Sequence, residues 1–170
     1  MAYISFSPKF LKEVIMLFKE RGFKDVVLGK RALLSDKEKS VLGWIKDNPS
    51  KFKAVHGRSG EFSKVDIVHK GSGRVYLLSN KLGNENNESL ILFDDDVRIT
   101  RGPDLWVYLS TSQNIKKEGL GDYLKIELVK GDKGGQSYIV QKPILELEKY
   151  KSVVIWCKQF SVLFTFAPLL

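Results

Sequence analysis

The stretch YKSVVIWCKQFSVLFTFAPLL, residues 150–170, is the most apolar and β-prone segment of the chain and contains its single cysteine, Cys157. Its two runs SVVIWC (152–157) and FSVLFTFA (160–167) are rich in the β-branched and aromatic residues that favour strands. Both runs are short and only two residues separate them, so we predict two strands of a sheet.

The first of these runs also predicts which side chains face the core. Successive side chains of a strand point to opposite faces, which gives two sets: Val153, Ile155 and Cys157 on one face, and Val154, Trp156 and Lys158 on the other. Because a lysine marks its own face as nearer to solvent, we predict that Cys157 points inward. A free cysteine is often buried and behaves as a small apolar residue.

The same pattern extends back along the chain to about residue 55. Further β-prone runs are EFSKVDIVH (61–69), GRVYLLS (73–79), SLILFDD (89–95), VRIT (97–100), DLWVYLS (104–110), YLKIELV (123–129) and QSYIV (136–140). Clusters of Gly, Asn, Asp and Lys separate them, and most are too short for the crossovers of a parallel sheet. We therefore predict an antiparallel β-sandwich or barrel of about eight to nine strands.

Residues 1–54 have a helical pattern and are predicted to form an extension with two short amphipathic helices. The first helix begins at Ser7 and Pro8 and ends at Gly22. The second begins at the capping box SDKE (35–38) and ends at DNP (47–49). Two helices around a turn resemble a helix-turn-helix. We favour instead an extension that packs against the predicted β-rich domain, residues 55–170.

The charge distribution does not favour binding to nucleic acid. The net charge is +8, with 10 Lys and Arg against 6 Asp and Glu in residues 1–50 and 18 against 14 in the remainder. Nucleic-acid binding normally needs its positive charge concentrated on one face. An evenly spread, lysine-rich surface is the preferred interpretation.

The cysteine count and the N-terminal residues bear on compartment. One cysteine excludes an intramolecular disulfide and any Cys-x-x-Cys site. No signal peptide and no membrane span of about 20 apolar residues is found. We therefore expect a cytoplasmic protein as the chain stands, and an extracellular one if a leader has been removed.

Catalytic motifs are missing from the sequence. There is no P-loop, His-Glu-x-x-His or Gly-x-Ser-x-Gly motif, and two histidines, His56 and His69, are too few for a multi-histidine metal site. Asp94–Asp96 are interpreted as a solvated turn rather than as calcium ligands. No metal site is predicted, and a stand-alone enzyme is not favoured.

Four motifs in this order resemble the DM-thirteen domain, an electron-transfer domain also found in Skeletor-type animal proteins. They are H-K-G-S-G (69–73), G-P-D-L-x-V-Y-L-S (102–110), K-G-x-x-G-x-Q-x-Y (130–138) and V-V-I-W-C-x-x-F-S-V-x-F (153–164). The resemblance covers about residues 55–170.

The resemblance implies a β-rich redox module whose characteristic cysteine is Cys157. In that family the cysteine is expected to act either as a naked thiol or by binding a prosthetic group such as haem. Cys157, His69 and Trp156 are then the candidate haem-binding residues, with His69 as the second ligand. A redox partner is implied as well, since such domains often occur beside haem-binding domains in extracellular or membrane-anchored proteins.

The residues themselves leave a second interpretation open. Cys157 can be an inert core residue, and the ring of His69 can simply bond the backbone of its turn. Asp104 in RGPDL is predicted to accept N–H groups of a turn. The alternative function is a non-enzymatic β-sandwich that presents its loops to a protein or a glycan.

Overall fold

Eight strands of four to seven residues form two antiparallel four-stranded sheets in the computed structural model, which describes residues 7–9, 12, 16, 26–27, 29–80 and 87–170. The first sheet consists of β2 (Arg58–Glu61), β4 (Arg74–Ser79), β5 (Ser89–Phe93) and β10 (Gln136–Val140), in the order β10-β5-β4-β2. The second sheet consists of β8 (Leu105–Ser110), β9 (Tyr123–Leu128), β11 (Ser152–Cys157) and β12 (Val162–Pro168), in the order β12-β11-β8-β9. The predicted antiparallel, mainly β fold is confirmed as a sandwich-like pair of sheets.

Two short ladders and four helical segments lie outside the two sheets among the described residues from 26 to 170. β1 (Val26–Val27) pairs with β7 (Gly102–Pro103), and β3 (Gly71–Ser72) pairs with β6 (Arg98–Ile99). The helical segments are α1 (Asp36–Asp47), α2 (Pro49–Ala54), α3 (Ile115–Glu118) and a 3₁₀ turn at Ile144–Leu147. The predicted first helix lies largely outside the described residues.

The main core lies between the two sheets and follows the predicted alternation. Val75, Leu77, Ile91 and Phe93 from the first sheet meet Val107, Leu109, Val153, Ile155 and Cys157 from the second. The inward direction of Cys157 is therefore confirmed. Burial of this apolar surface is the main force that holds the sheets together.

A second apolar layer covers the outer face of the first sheet. Leu42, Ile45 and Phe52 of α1 and α2 pack with Leu34 on the strand residues Tyr76, Leu78, Leu90 and Leu92. The predicted capping box begins α1: the Glu38 N–H donates to Ser35 Oγ at 3.2 Å, and the Ser35 N–H donates to Glu38 Oε1 at 2.7 Å. Because helices cover it, β5 is buried on both faces and shows no alternation.

Residues 62–69 were predicted to continue a strand, and this prediction is wrong. The strand ends at Glu61, and the next residues form a turn closed by Asp66. Asp66 Oδ1 accepts the N–H groups of Val68 at 2.8 Å and His69 at 2.6 Å. These local bonds compete with a sheet ladder, which is why an alternating pattern here does not form a strand.

The sheets are joined along one side by the end of the chain. Backbone N–H groups of Ser59 and Leu170 donate to each other's carbonyl oxygens at 3.2 and 2.9 Å. Gly60 lies against Pro168, where an added Cβ would be 2.2 Å from the Pro168 carbonyl oxygen. β2 and β12, which are edge strands of different sheets, are thereby connected.

Candidate functional site

Cys157 is the last residue of β11 and lies inside the second sheet. It is paired with Leu105 of β8 on one side and with Val162 of β12 on the other. Its side chain belongs to the main core, and the residue is only 1% exposed. A reagent in solution therefore has no direct access to the sulfur.

The sulfur has polar partners although it is buried. The thiol donates to the Pro103 carbonyl oxygen, with Sγ and O 3.1 Å apart. Backbone N–H groups of Phe160 and Gln159, in the turn between β11 and β12, also interact with the sulfur. The Pro103 carbonyl is thus a partner for the thiol, and the N–H groups of Phe160 and Gln159 are partners for the thiolate.

Burial controls the protonation of this thiol. It raises the pKa of Cys157 to about 11, and the negative charge of Asp104 adds to the increase. The N–H groups of Phe160 and Gln159 act in the opposite direction but do not outweigh burial. At neutral pH Cys157 is a protonated thiol, whereas the nucleophilic form of cysteine is the thiolate.

Asp104 connects the buried thiol to the outer face of the second sheet. It is 4% exposed and has a backbone φ of 55°, in the left-handed region that Asp tolerates better than most residues. Its Oδ1 accepts the indole N–H of Trp106 at 2.9 Å, and its carbonyl oxygen accepts the Lys158 N–H at 3.1 Å. Asp104 follows the short strand β7 and its side chain accepts an indole N–H, while the predicted bonds from turn N–H groups stay a prediction.

Aromatic and basic side chains lie on that outer face. Trp106 and Trp156 are paired across β8 and β11. The ammonium groups of Lys125 and Lys158 lie 4.5 and 5.6 Å from the centroid of the Trp106 ring, within the range of cation–π attraction. Trp106 is thus contacted by two cations and an anchoring carboxylate.

His69 is held by a carboxylate rather than by the backbone of its turn. Nδ1 lies 2.8 Å from Asp66 Oδ2, and the ring contacts the ring of Phe164 with centroids 4.7 Å apart. Hydrogen bonds from the backbone and the ring of His69 lower the pKa of Asp66 to about 2. The expected ring-to-backbone bond is replaced by this side-chain pair.

Two of the three candidate haem-binding residues, Cys157 and Trp156, lie on opposite faces of β11. Cys157 faces the core between the sheets, whereas Trp156 packs in the cluster on the opposite face of β11. The sulfur is protonated and bonded to Pro103, so it is not in the thiolate form that binds metals. The bond between Asp66 and Nδ1 of His69 does not involve Nε2, the other ring nitrogen. Because the thiol is protonated and faces away from Trp156, the three residues as a set do not fit an axially ligated haem.

The acidic run Asp94–Asp96 forms an ion pair and a hydrogen bond within the fold. Asp94 is 7% exposed and forms an ion pair of 2.9 Å with Lys46, so it is buried rather than solvated as predicted. Asp96 accepts the Arg74 N–H at 3.1 Å. Within the described residues, no three His, Cys, Asp or Glu side chains are grouped as metal ligands.

Sequence reasoning did not identify the groups around the sulfur. Pro103 approaches Cys157 from a segment 54 positions earlier, which no local pattern reveals. Lys125 reaches Trp106 across a ladder whose register shifts at a bulge between Val107 and Tyr108. One available signal was the short KQFS turn after Cys157, because a tight turn directs its N–H groups toward the strand end.

Comparison with known proteins gives one match. Residues 61–169 match the family described as Electron transfer DM13. No curated protein and no solved structure matches the chain. Among the described residues, no helix has the length and apolar character needed to cross a membrane.

Proposed function

The chain belongs to the electron-transfer family DM13, and from this premise we propose that Cys157 is the group that this module oxidises and reduces. Cys157 is the only cysteine in the sequence and lies within the matched segment. The observation that carries the proposal is the environment of the buried sulfur: the Pro103 carbonyl accepts the S–H, and the backbone N–H groups of Phe160 and Gln159 interact with the sulfur.

The chemistry that fits this environment is a one-electron step coupled to a proton. One electron passes from Cys157 to a one-electron acceptor protein, the S–H bond breaks, and its proton is released to solvent, leaving a neutral sulfur radical. One electron from a donor protein and one proton from solvent restore the thiol. Burial supports this step because it separates the radical from other thiols and from solvent reagents.

Proton coupling gives the proposal a measurable signature. Since the pKa of Cys157 is about 11, the reduced form carries its proton at every pH below that value. The midpoint potential should fall by about 59 mV for each pH unit up to about pH 11, as for one proton per electron. Square-wave voltammetry of the adsorbed protein between pH 6 and 10 measures this slope.

Variants of Cys157 test whether the redox couple seen by voltammetry belongs to the sulfur. Cys157→Ala and Cys157→Ser should both lack it, while Trp156→Phe on the opposite face of β11 should retain it. Circular dichroism confirms that each variant is folded. A couple that persists in folded Cys157→Ala belongs to another group, such as an indole, and overturns the assignment.

The burial of Cys157 favours one competing function, a binding module in which the sulfur only fills space. If the protein is such a binding module, Cys157→Ala should lower its stability, still bind the partner and change no redox property. Loss of the couple with the fold intact supports electron transfer. A wild-type protein without any couple supports the binding module.

A further inference from the structure

We propose that the outer face of the second sheet around Trp106 is the docking surface for an acidic protein, the partner that exchanges electrons with Cys157. The Trp106 patch is defined as Trp106, Tyr108, Tyr123, Lys125 and Lys158. The identity of the partner as an electron carrier rests on the proposed function, whereas the docking of an acidic surface can be tested without it.

Two fixed cations give the patch its charge. Lys125 lies within β9 and Lys158 directly follows β11, and both place their ammonium groups over the Trp106 ring, at 4.5 and 5.6 Å from its centroid. In the part of the chain that the structure describes, neither lysine forms an ion pair. Carboxylates from another protein would complement these two charges.

The ring between the cations is held in place. Its indole N–H is bonded to the buried carboxylate of Asp104 at 2.9 Å, so the indole cannot turn freely. The ammonium groups of the two lysines lie within cation–π distance of the ring, which favours this arrangement of their side chains. A surface that is ordered before binding gives up less conformational entropy when a partner docks.

Aromatic area beside the cations supplies apolar contact. The rings of Tyr108 and Tyr123 are stacked, with centroids 4.9 Å apart and an interplanar angle of 6°. Tyr123 is 53% exposed. Tyr108 is buried and supports the exposed ring of Tyr123, while Trp106 is partly buried. Aromatic residues next to positive charge are typical of protein interfaces, where aromatic residues are enriched.

The nearest acidic residue on β9 does not cancel this charge. Glu127 is opposite Val107, beyond the bulge that separates it from Lys125. Its charge acts on Tyr138, a residue of the core between the sheets. The acidic side chain and the lysine are therefore separated by the bulge.

The patch lies on the reverse side of the sheet from the thiol. Trp106 is paired with Trp156, and its neighbour Leu105 is paired with Cys157. Lys158 follows Cys157 directly, and Asp104 acts on both the indole and the sulfur. A protein docked on the Trp106 patch therefore lies across the second sheet from the sulfur.

The test measures binding of decaglutamate to the reduced wild-type protein by NMR. The three tryptophans, Trp44, Trp106 and Trp156, give three indole N–H signals, and single Trp→Phe variants assign them. The Trp106 signal should shift on binding, and the Trp44 signal on the helical layer should not. Decaglutamate is redox-inert, so this result is independent of the behaviour of Cys157.

Two double variants with the same change in net charge separate local from general attraction. Lys125→Glu/Lys158→Glu should weaken binding on the order of tenfold, since each surface ion pair contributes up to about fivefold. Lys51→Glu/Lys53→Glu, on α2 against the first sheet, should change it less than about twofold by the same reasoning. An unchanged Trp44 signal shows that each variant is folded. Lys125→Gln/Lys158→Gln removes the two positive charges without reversing them and should weaken binding less than the Glu variant.

Three results would overturn the docking surface. They are an equal loss of affinity in both double variants, a shift centred on Trp44, and tighter binding of an oligothymidylate of the same charge at the same patch, which would indicate nucleic acid. If decaglutamate binds as expected and Cys157 shows no redox couple, the surface stands and the proposed function fails. If the couple is present and binding is not, the electron partner docks elsewhere.

Discussion

Cys157 links the stability of the protein to alkaline pH. Its pKa is about 11 in the folded chain and about 9 in the unfolded chain, because burial disfavours the thiolate. The unfolded chain therefore loses the proton first as pH rises. The stabilisation by the protonated thiol is complete below pH 9 and is lost as pH rises through 11, by about 2–3 kcal/mol in total.

The comparison of wild type with Cys157→Ala isolates this effect. The difference in free energy of unfolding between the two should be constant from pH 7 to 8.5 and should decrease by about 2–3 kcal/mol toward pH 11. Urea unfolding at each pH measures it, and the variant accounts for the titration of lysines and tyrosines. A difference that stays constant to pH 11 would contradict the buried, protonated thiol.

The loop between β9 and β10 depends on one buried amide. The Gln136 side chain donates to the carbonyl oxygens of Gly131 and Gly134 at 3.0 and 3.3 Å and accepts the N–H groups of Lys130 and Gly131 at 3.1 and 3.2 Å. Tyr138 also donates its hydroxyl to this amide. The Gln and Tyr of the K-G-x-x-G-x-Q-x-Y motif thus hold the loop closed.

Gln136→Leu should lower the free energy of unfolding by about 2–3 kcal/mol, because it leaves several buried backbone groups without a partner. Ile139→Ala, at a half-exposed position of the same strand, should change it by less than about 0.5–1 kcal/mol. Chemical denaturation of the two variants measures both values. Equal effects would mean that the amide network adds nothing beyond the strand itself.

Gly71, in the H-K-G-S-G motif, is required by close packing. An added Cβ would lie 2.4 Å from Thr165 Oγ1, and Thr165 is buried and bonded to the Ser63 carbonyl oxygen at 2.7 Å. Gly71→Ala should therefore cost about 1–3 kcal/mol. Gly43→Ala on α1, where no atom lies within 4 Å of the added Cβ, should stabilise by about 0.5–1 kcal/mol. Thermal unfolding compares the two, and a stable Gly71→Ala would refute the contact.

Most strands were predictable from the sequence, including β5, which is covered on both faces, but the sheet on which the helices pack was not. Alternation placed Cys157 correctly because Lys158 marks the outer face of β11. The helices that cover β5 could not be assigned to it, since nothing local records which sheet a helix packs on. The strand prediction for residues 62–69 failed because of Asp66. Its carboxylate accepts backbone hydrogen bonds that form a turn, and the hydropathy pattern does not reveal such bonds.

The helical layer is part of the same packed unit as the sheets in the described residues. Leu42 is 5% exposed and packs with side chains of β4 and β5, whereas Leu33, nearby in sequence, is 78% exposed. The division at residue 54 into an extension and a β-rich domain remains a prediction. Whether residues 55–170 fold alone depends on how strongly this layer stabilises the first sheet.

Leu42→Asp should lower the midpoint of thermal unfolding and produce self-association, because it buries a charge and releases the apolar face of the first sheet. Leu33→Asp should have little effect. Analytical ultracentrifugation and calorimetry measure both properties. A monomeric Leu42→Asp protein with an unchanged midpoint would show that the layer contributes no stability.

The connection between β2 and β12 also bears on aggregation. A free strand edge is a template for pairing with another chain. In the described fold, the bonds between Ser59 and Leu170 tie together one edge of each sheet, and β9 and β10 remain as the other two edges. Lys125 and Glu127 place charges of opposite sign along β9, which resists the regular stacking of a fibril. Loss of the Ser59–Leu170 bonds would therefore double the number of edges open to fibril growth.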